Sequence, residues 1–372
     1  MITNFFGSIL NLIFEGVSLV TMVGTLGLAI IVFTIVTRLL LTPLQIKSQL
    51  TTKIMSKVQP EMQALQKKYE GKKDQQSQMQ QSQEMQALYK KYNINPLAGC
   101  LPLLIQLPLI YSLYAVLRQP SNHIKMLAEL YNDMAIKIES TITNSSAIIA
   151  DIIAEIPMNS TAQLELNRVG DNVTLSNYLS NFTTAQWELL ISKVPELETV
   201  LETLLLQKNG LEYFVFNLID TPAELVASGN LLAFIVPVLA GASTFIFSKI
   251  SMAQNQQPQM PEGQENPAEN MFKVMNVMMP VMMGFISYTV ATGLALYWIA
   301  GNLIMMVQQL WVSKLVSKRV AEVEAQLEKE RAEAKANKPK KKRKKTSTKS
   351  EPKDQKDNNN KPRKERSQPG QN

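Results

Sequence analysis

Few of the 372 residues are of the types that perform covalent chemistry. The chain has one histidine, His123, and one cysteine, Cys100. A Ser/His or Cys/His nucleophile pair has very little to draw on. Single residues also cannot build an intramolecular disulfide or a Cys- or His-rich metal site. The unusual ionisable group is Arg38. It stands inside MVGTLGLAIIVFTIVTRLLLTP, residues 22–43, an apolar run long enough to cross ~30 Å of hydrocarbon as a helix. An arginine at mid-span costs roughly 2.5–3.5 kcal/mol on insertion scales. Two arrangements would relieve that cost. The side chain can snorkel to the headgroups, because Pro43 and the end of the run lie about a turn and a half away. Alternatively it faces a wet cavity among several spans and holds a charge for something passing through.

Amides and hydroxyls recur in or beside the other apolar runs, at Gln106, Asn276, Ser287, Thr289, Asn302, Gln308 and Gln309. Each alone can serve as an interhelical hydrogen bond, worth ~0.6 kcal/mol on average. Together, with one arginine and no carboxylate inside any span, they describe a lone-cation cavity and not a proton relay. Methionine crowds the fourth run at Met271, Met275, Met278, Met279, Met282 and Met283, with Met305 and Met306 in the fifth. Core filling is the expected role. The alternative is a soft, adaptable lining for varied apolar sequences.

These residues must be positioned by the elements that the hydropathy pattern marks out. The expected architecture is all-α and polytopic, with five transmembrane helices. Residues 1–21 are expected as an interfacial amphipathic helix, followed by a first span at 22–43 and a helical hairpin at 44–96. A second span at 97–117, a long segment at 118–228 and a third span at 229–249 come next. A loop at 250–273 leads to spans at 274–291 and 294–313 and a tail at 314–372, whose end reads as disordered. The hairpin carries an internal echo: EMQALQKKY at 61–69 returns as EMQALYKKY at 84–92, with Gly71 to Asp74 as the turn between them. Pro60 is expected to kink the first arm or restart its helix.

The net charge of +7 is unevenly spread. Region 44–96 holds nine basic residues against four acidic, which places the hairpin on the cytoplasmic side. Segment 119–228 holds 14 acidic against five basic residues and is expected outside. Residues 313–372 contain 20 of the 38 lysines and arginines, including Lys340, Lys341, Lys342, Arg343, Lys344 and Lys345. A tract of that kind meets polyanions, either anionic lipid or RNA phosphate. Five spans starting outside put hairpin and tail on the same, cytoplasmic face.

Three stretches carry a family resemblance: TRLLLTPLQIKSQ at 37–49, KYNINPLAGCLPLLIQLPL at 91–109, and GLALYWIAGNLIMMVQQ at 293–309. On these the chain resembles the YidC/Oxa/Alb membrane protein insertases, in the form typical of Gram-positive bacteria. The resemblance implies a bacterial plasma-membrane protein with its N-terminus outside and C-terminus inside. It implies five helices around a hydrophilic groove open to cytoplasm and lipid, without a cofactor or bond-making chemistry. Arg38 matches the groove arginine, and Gln106, Trp298, Asn302 and Gln308 are the other groove residues it implies. Nascent membrane proteins would be the visitors, passing from the groove to the lipid bilayer. The hairpin and the Lys340–Lys345 tract resemble regions that contact the ribosome, the targeting receptor and the Sec translocon. Relatives often place glutamines at the end of the third span, where this chain has Phe247 and Ser248.

Two other classes compete with an insertase. A transporter or channel would show inverted repeats and ionisable residues paired at mid-membrane, and neither is present in the sequence. A ribosome-tethering anchor would use the tail and leave the spans structural.

Overall fold

Leu26, Ile30 and Phe33 repeat at helical spacing in the first apolar run, and all three are fully enclosed. They lie on α2 (Thr25–Tyr69), a 45-residue helix preceded by Gly24, whose φ of 70° suits a residue without a Cβ. The computed structural model describes residues 2–72, 74–95, 101–118, 120–158, 163, 166, 173–254 and 267–336. Of the kink or restart expected at Pro60, the restart does not occur: α2 runs unbroken through both Pro43 and Pro60. A proline removes one backbone bond, which intact turns and flanking tertiary contacts can outweigh. The first span and the first hairpin arm are therefore one helix. Its helical part begins at residue 25, three residues later than the hydropathy boundary.

The described residues form helices and no strand, with one isolated bridge between Tyr213 and Asn217. Ahead of α2 lies α1 (Ile2–Ser18), with Leu10 and Phe14 fully buried against the core it shares with α2 and α4 (Leu101–Arg118). Its apolar stripe thus faces protein, while Phe5 and Leu12 remain exposed. Three helical stretches are long and apolar enough to cross a membrane: Thr25–Tyr69, Leu231–Ala253 and Thr292–Glu333. The apolar stretches Gln106–Leu117 and Val277–Thr289 are shorter among the described residues. The chain divides into two units, Met1–Leu327 and Glu328–Asn372. In the second unit the described residues are helical as far as Ala336.

After α2, Gly71 turns the chain at a φ of 82° and Asp74 caps α3 (Gln75–Lys91) by accepting from Ser77 N at 2.8 Å. Arm α3 runs antiparallel to the end of α2, and the repeated phrases meet reciprocally. Tyr69 Oη donates to Glu84 at 2.9 Å, and Tyr92 Oη donates to Glu61 at 3.1 Å. Between them opens a groove of about 510 Å³ lined by equivalent residues of the two copies, among them Leu65 with Leu88 and Ala64 with Ala87. Asn93, at a φ of 52°, ends the hairpin in the left-handed conformation that asparagine tolerates.

The final long helix, α13 (Thr292–Ala336), also ignores its expected boundary at 313. Val312, Val316, Val320, Val323 and Leu327 are buried at spacings of three and four. Val323 and Leu327 cluster with Ile54, Val58, Tyr92 and Ile94, and Lys57 pairs with Glu324 at 2.7 Å. The charged residues had hidden this apolar stripe.

Between α11 (Ile235–Gln254) and α12 (Pro267–Thr289), glycines allow close approach. A Cβ at Gly241 would come within 3.1 Å of Pro280 O, and one at Gly284 within 3.2 Å of Pro237 O. The expected core role fails for Met278, Met279 and Met282, which are exposed beside Val281 and Phe285. The small-residue face of α12 makes the helix contact, so its large side chains point away from it. Side chains of Met271, Met275 and Asn276 lie outside the described residues.

The acidic segment folds into α5 (Lys125–Thr141), α6 (Ser145–Glu155), α7 (Leu175–Leu179), α8 (Thr184–Lys193), α9 (Glu196–Glu212) and α10 (Pro222–Ala227). Leu127, Tyr131, Trp187, Leu190 and Leu201 form a core continuous with Leu26, Leu113 and Leu294 of the apolar helices. Tyr131 Oη donates to Glu212, whose carboxylate pairs with the buried Lys208 at 3.2 Å. The end of α9 and its connection to α10 clip onto helix starts. Gly24 N donates to Gly210 O at 2.8 Å, while Thr292 N and Gly293 N each reach Asp220 O and Leu218 O, respectively, at 2.9 Å.

The side chain of Asp220 is buried and accepts from Thr184 N and Oγ1. Burial lifts its pKa to about 6, against the opposing pull of those bonds and of Lys208. The folded chain therefore holds this proton more tightly than the unfolded chain. Stability is gained as pH falls through about 6, and the gain is complete below about 4. In detergent, the Asp220→Asn variant is expected to lose this component, on the order of 2–3 kcal/mol between about pH 7 and pH 4. Thermal melts of both proteins across that range check it.

Candidate functional site

Along α2, Thr34, Arg38 and Thr42 fall at i, i+4 and i+8, and along α13 Tyr297, Gly301 and Gln308 share a face. The two helices run in the same direction. Ile30 lies by Gly293, Arg38 by Gly301, and Thr42 by Gln308. The guanidinium occupies space that a side chain at 301 would take. A Cβ there would lie 3.2 Å from Arg38 Nη2 and 3.8 Å from Thr34 Cγ2.

Arg38 is half-buried, and its Nε is enclosed without a hydrogen-bond partner. No carboxylate stands within ion-pair distance of it among the described residues. Its ionisable neighbour is Tyr297, a neutral phenol at working pH. Tyr297 is enclosed, and its hydroxyl accepts a hydrogen bond from Gln106 Nε2 of α4 at 2.9 Å. Below it, Gln308 Nε2 donates to Thr42 Oγ1 at 2.6 Å and to Arg38 O at 3.2 Å. Gln308 Oε1 is buried and unpartnered. The cluster therefore offers a fixed cation, an unused acceptor and an unused N–H, with no internal anion.

Of the residues singled out in the sequence, the structure gathers Arg38, Gln106 and Gln308 through Tyr297 and Thr42. Asn302 instead faces α11, where its Nδ2 donates to Ser243 Oγ and Thr244 Oγ1, both at 3.0 Å. The third apolar helix thus contributes hydroxyls a turn before Phe247 and Ser248. Trp298 packs along the edge of the apolar core with Nε1 buried and unpartnered, and no bond joins it to Arg38. Gln309 is buried. The Lys340–Lys345 tract lies outside the described residues. Tyr297, Gly301, Thr34 and Thr42 were missed as site residues, although Thr34 and Thr42 lie four residues either side of Arg38, and Gly301 and Tyr297 lie seven and eleven residues before Gln308, all helical repeats of one face.

The model of the family described as 60Kd inner membrane protein matches residues 18–319, which include every member of this cluster. The chain belongs to the 60Kd inner membrane protein family. Among curated relatives, membrane protein insertase YidC 1 of Halalkalibacterium halodurans is 27% identical over 300 residues, covering 80% of this chain and 74% of the relative. Membrane protein insertase YidC of Oceanobacillus iheyensis is 26% identical, covering 77% of this chain and 74% of its own. Membrane protein insertase MisCA of Bacillus subtilis is 50% identical over 93 residues, a quarter (25%) of this chain and 35% of that protein.

Within this 60Kd family member, two substitutions probe the pocket. Tyr297→Phe removes the acceptor of Gln106 and is expected to lower stability by about 1 kcal/mol in a denaturation series. Gly301→Val crowds the guanidinium, since its Cβ alone would lie 3.2 Å from Nη2. It is expected to leave expression intact and to shift a spin label or crosslinker reporting on Arg38.

Proposed function

We propose that this chain is a membrane protein insertase and chaperone, as the names of its relatives suggest. It would receive nascent membrane proteins at the Arg38 pocket and release their helices into the bilayer. The observation carrying this reading is a half-buried guanidinium with polar neighbours on three helices and no carboxylate partner among the described residues. At intermediate dielectric, a carboxylate brought to about 4 Å from it gains on the order of a few kcal/mol. That gain attracts acidic residues flanking a substrate's apolar segment. Burial of ~20 apolar residues in lipid then drives release without a chemical fuel.

The reading includes five crossings, with α4 and α12 joining the three longer apolar helices. It places the N-terminus outside and the basic hairpin and tail in the cytoplasm of a bacterium, as their charge favours. The exposed face of α12, with Met278, Met279 and Met282, suits a lipid-side path for a departing helix. The tail is proposed to meet ribosomal RNA, and the hairpin the targeting receptor or Sec translocon.

Arg38→Ala is expected to slow insertion of a single- or double-spanning reporter by roughly tenfold, equivalent to ~1.4 kcal/mol. Ribosome binding should be kept, and Arg38→Lys should restore part of the rate. Unchanged insertion with Arg38→Ala would favour a tethering anchor. Removing the tail from Lys338 onward is expected to weaken ribosome co-sedimentation at low salt, with the difference vanishing at high salt.

A further inference from the structure

The acidic segment contains the aromatic-rich apolar run Tyr213-Phe-Val-Phe216, in the connection from α9 to α10. Its depth can be read from three helices. Phe214 lies over Gly24 and Gly27, where a Cβ at Gly27 would come within 2.6 Å of its ring. Phe216 clusters with Val236 in the first turn of α11 and Ala295 in the first turn of α13. The run is therefore level with the first turns of all three long apolar helices, while Val215 and Tyr213 at its tip stay 63% and 49% exposed.

The base of the run is paired within the chain, which lowers the cost of apolar surroundings there. Phe214 N donates to Phe216 O, Tyr213 N to Asn209 O, and Leu218 N to Glu212 O. Ile219 N is met by Asn217 Oδ1 at 3.0 Å. Further exposed apolar side chains stand at the same end of the helices, Val23, Leu231 and Leu232, which are 74%, 68% and 77% exposed. Apolar side chains gathered at this end of the long apolar helices fit acyl chains.

We infer that residues 213–216 form a finger inserted among the acyl chains of the outer leaflet, seating the folded acidic segment on the lipid surface. The inference requires that α2 crosses the membrane and is independent of what the Arg38 pocket binds. The test uses the full chain with Cys100→Ser, reconstituted in phosphatidylglycerol–phosphatidylcholine vesicles. A nitroxide is placed at Val215→Cys, at Ile35→Cys as a mid-span control, and at Glu198→Cys as a water control. Collision with oxygen is compared with collision with a polar nickel chelate. The finger site is expected to favour oxygen several-fold over the chelate relative to the water control, approaching the mid-span site. A finger label as open to the chelate as Glu198→Cys overturns the inference. If the Ile35→Cys label also reads aqueous, the crossing by α2 fails and the inference falls with it. Should Val215→Cys misfold, Tyr213→Cys carries the same comparison, because its side chain is also half-exposed.

Discussion

A half-buried guanidinium beside Tyr297 and Gly301, with no carboxylate to neutralise it among the described residues, sets the terms for the rest of the molecule. Arginine remains charged in proteins, so its burial is tolerable only where water or polar groups replace bulk solvation. Here Gly301 leaves room for it, and Tyr297, Gln106, Thr42 and Gln308 supply polarity around it. Pairing it inside the fold would remove the attraction for a visiting anion. On the proposed function, the site is polar enough to hold the charge and incomplete enough to attract a partner.

Keeping such a pocket open requires that α2 and α13 be held at both ends. At one end, Gly210, Leu218 and Asp220 bind the residues that begin these helices through backbone hydrogen bonds. At the other, Lys57 pairs with Glu324, and Val323 and Leu327 pack onto Ile54 and Val58. Between these ends, Ile30 and Phe33 share the apolar core with Leu294 and Tyr297, and Arg38 stands beside Gly301.

The acidic segment shares in this arrangement. Its core joins that of the apolar helices, so the segment cannot be regarded as a detached domain. The buried pair of Lys208 with Glu212 and the bonds to Asp220 lie in the stretch that grips α2 and α13. Removing one member of such a network leaves an uncompensated charge, which favours a single geometry for the clip.

The sequence by itself determined where the apolar runs lie, that Arg38 is the misplaced charge, and that the chain turns at Gly71 to Asp74. Those features follow from local quantities: hydropathy over a window, a residue type unsuited to lipid, and glycine and aspartate chemistry. The sequence also contained the stripe from Val312 to Leu327, but the charges of the other faces obscured it. Only the tertiary structure decided that Gln106 reaches Tyr297 across 191 residues, that Asn302 turns to Ser243 and not to Arg38, and that prolines 43 and 60 leave α2 intact. Helical periodicity identifies a face without naming the neighbour that face meets. That neighbour is set by packing between segments far apart in the chain, and one chain's sequence carries no local record of it.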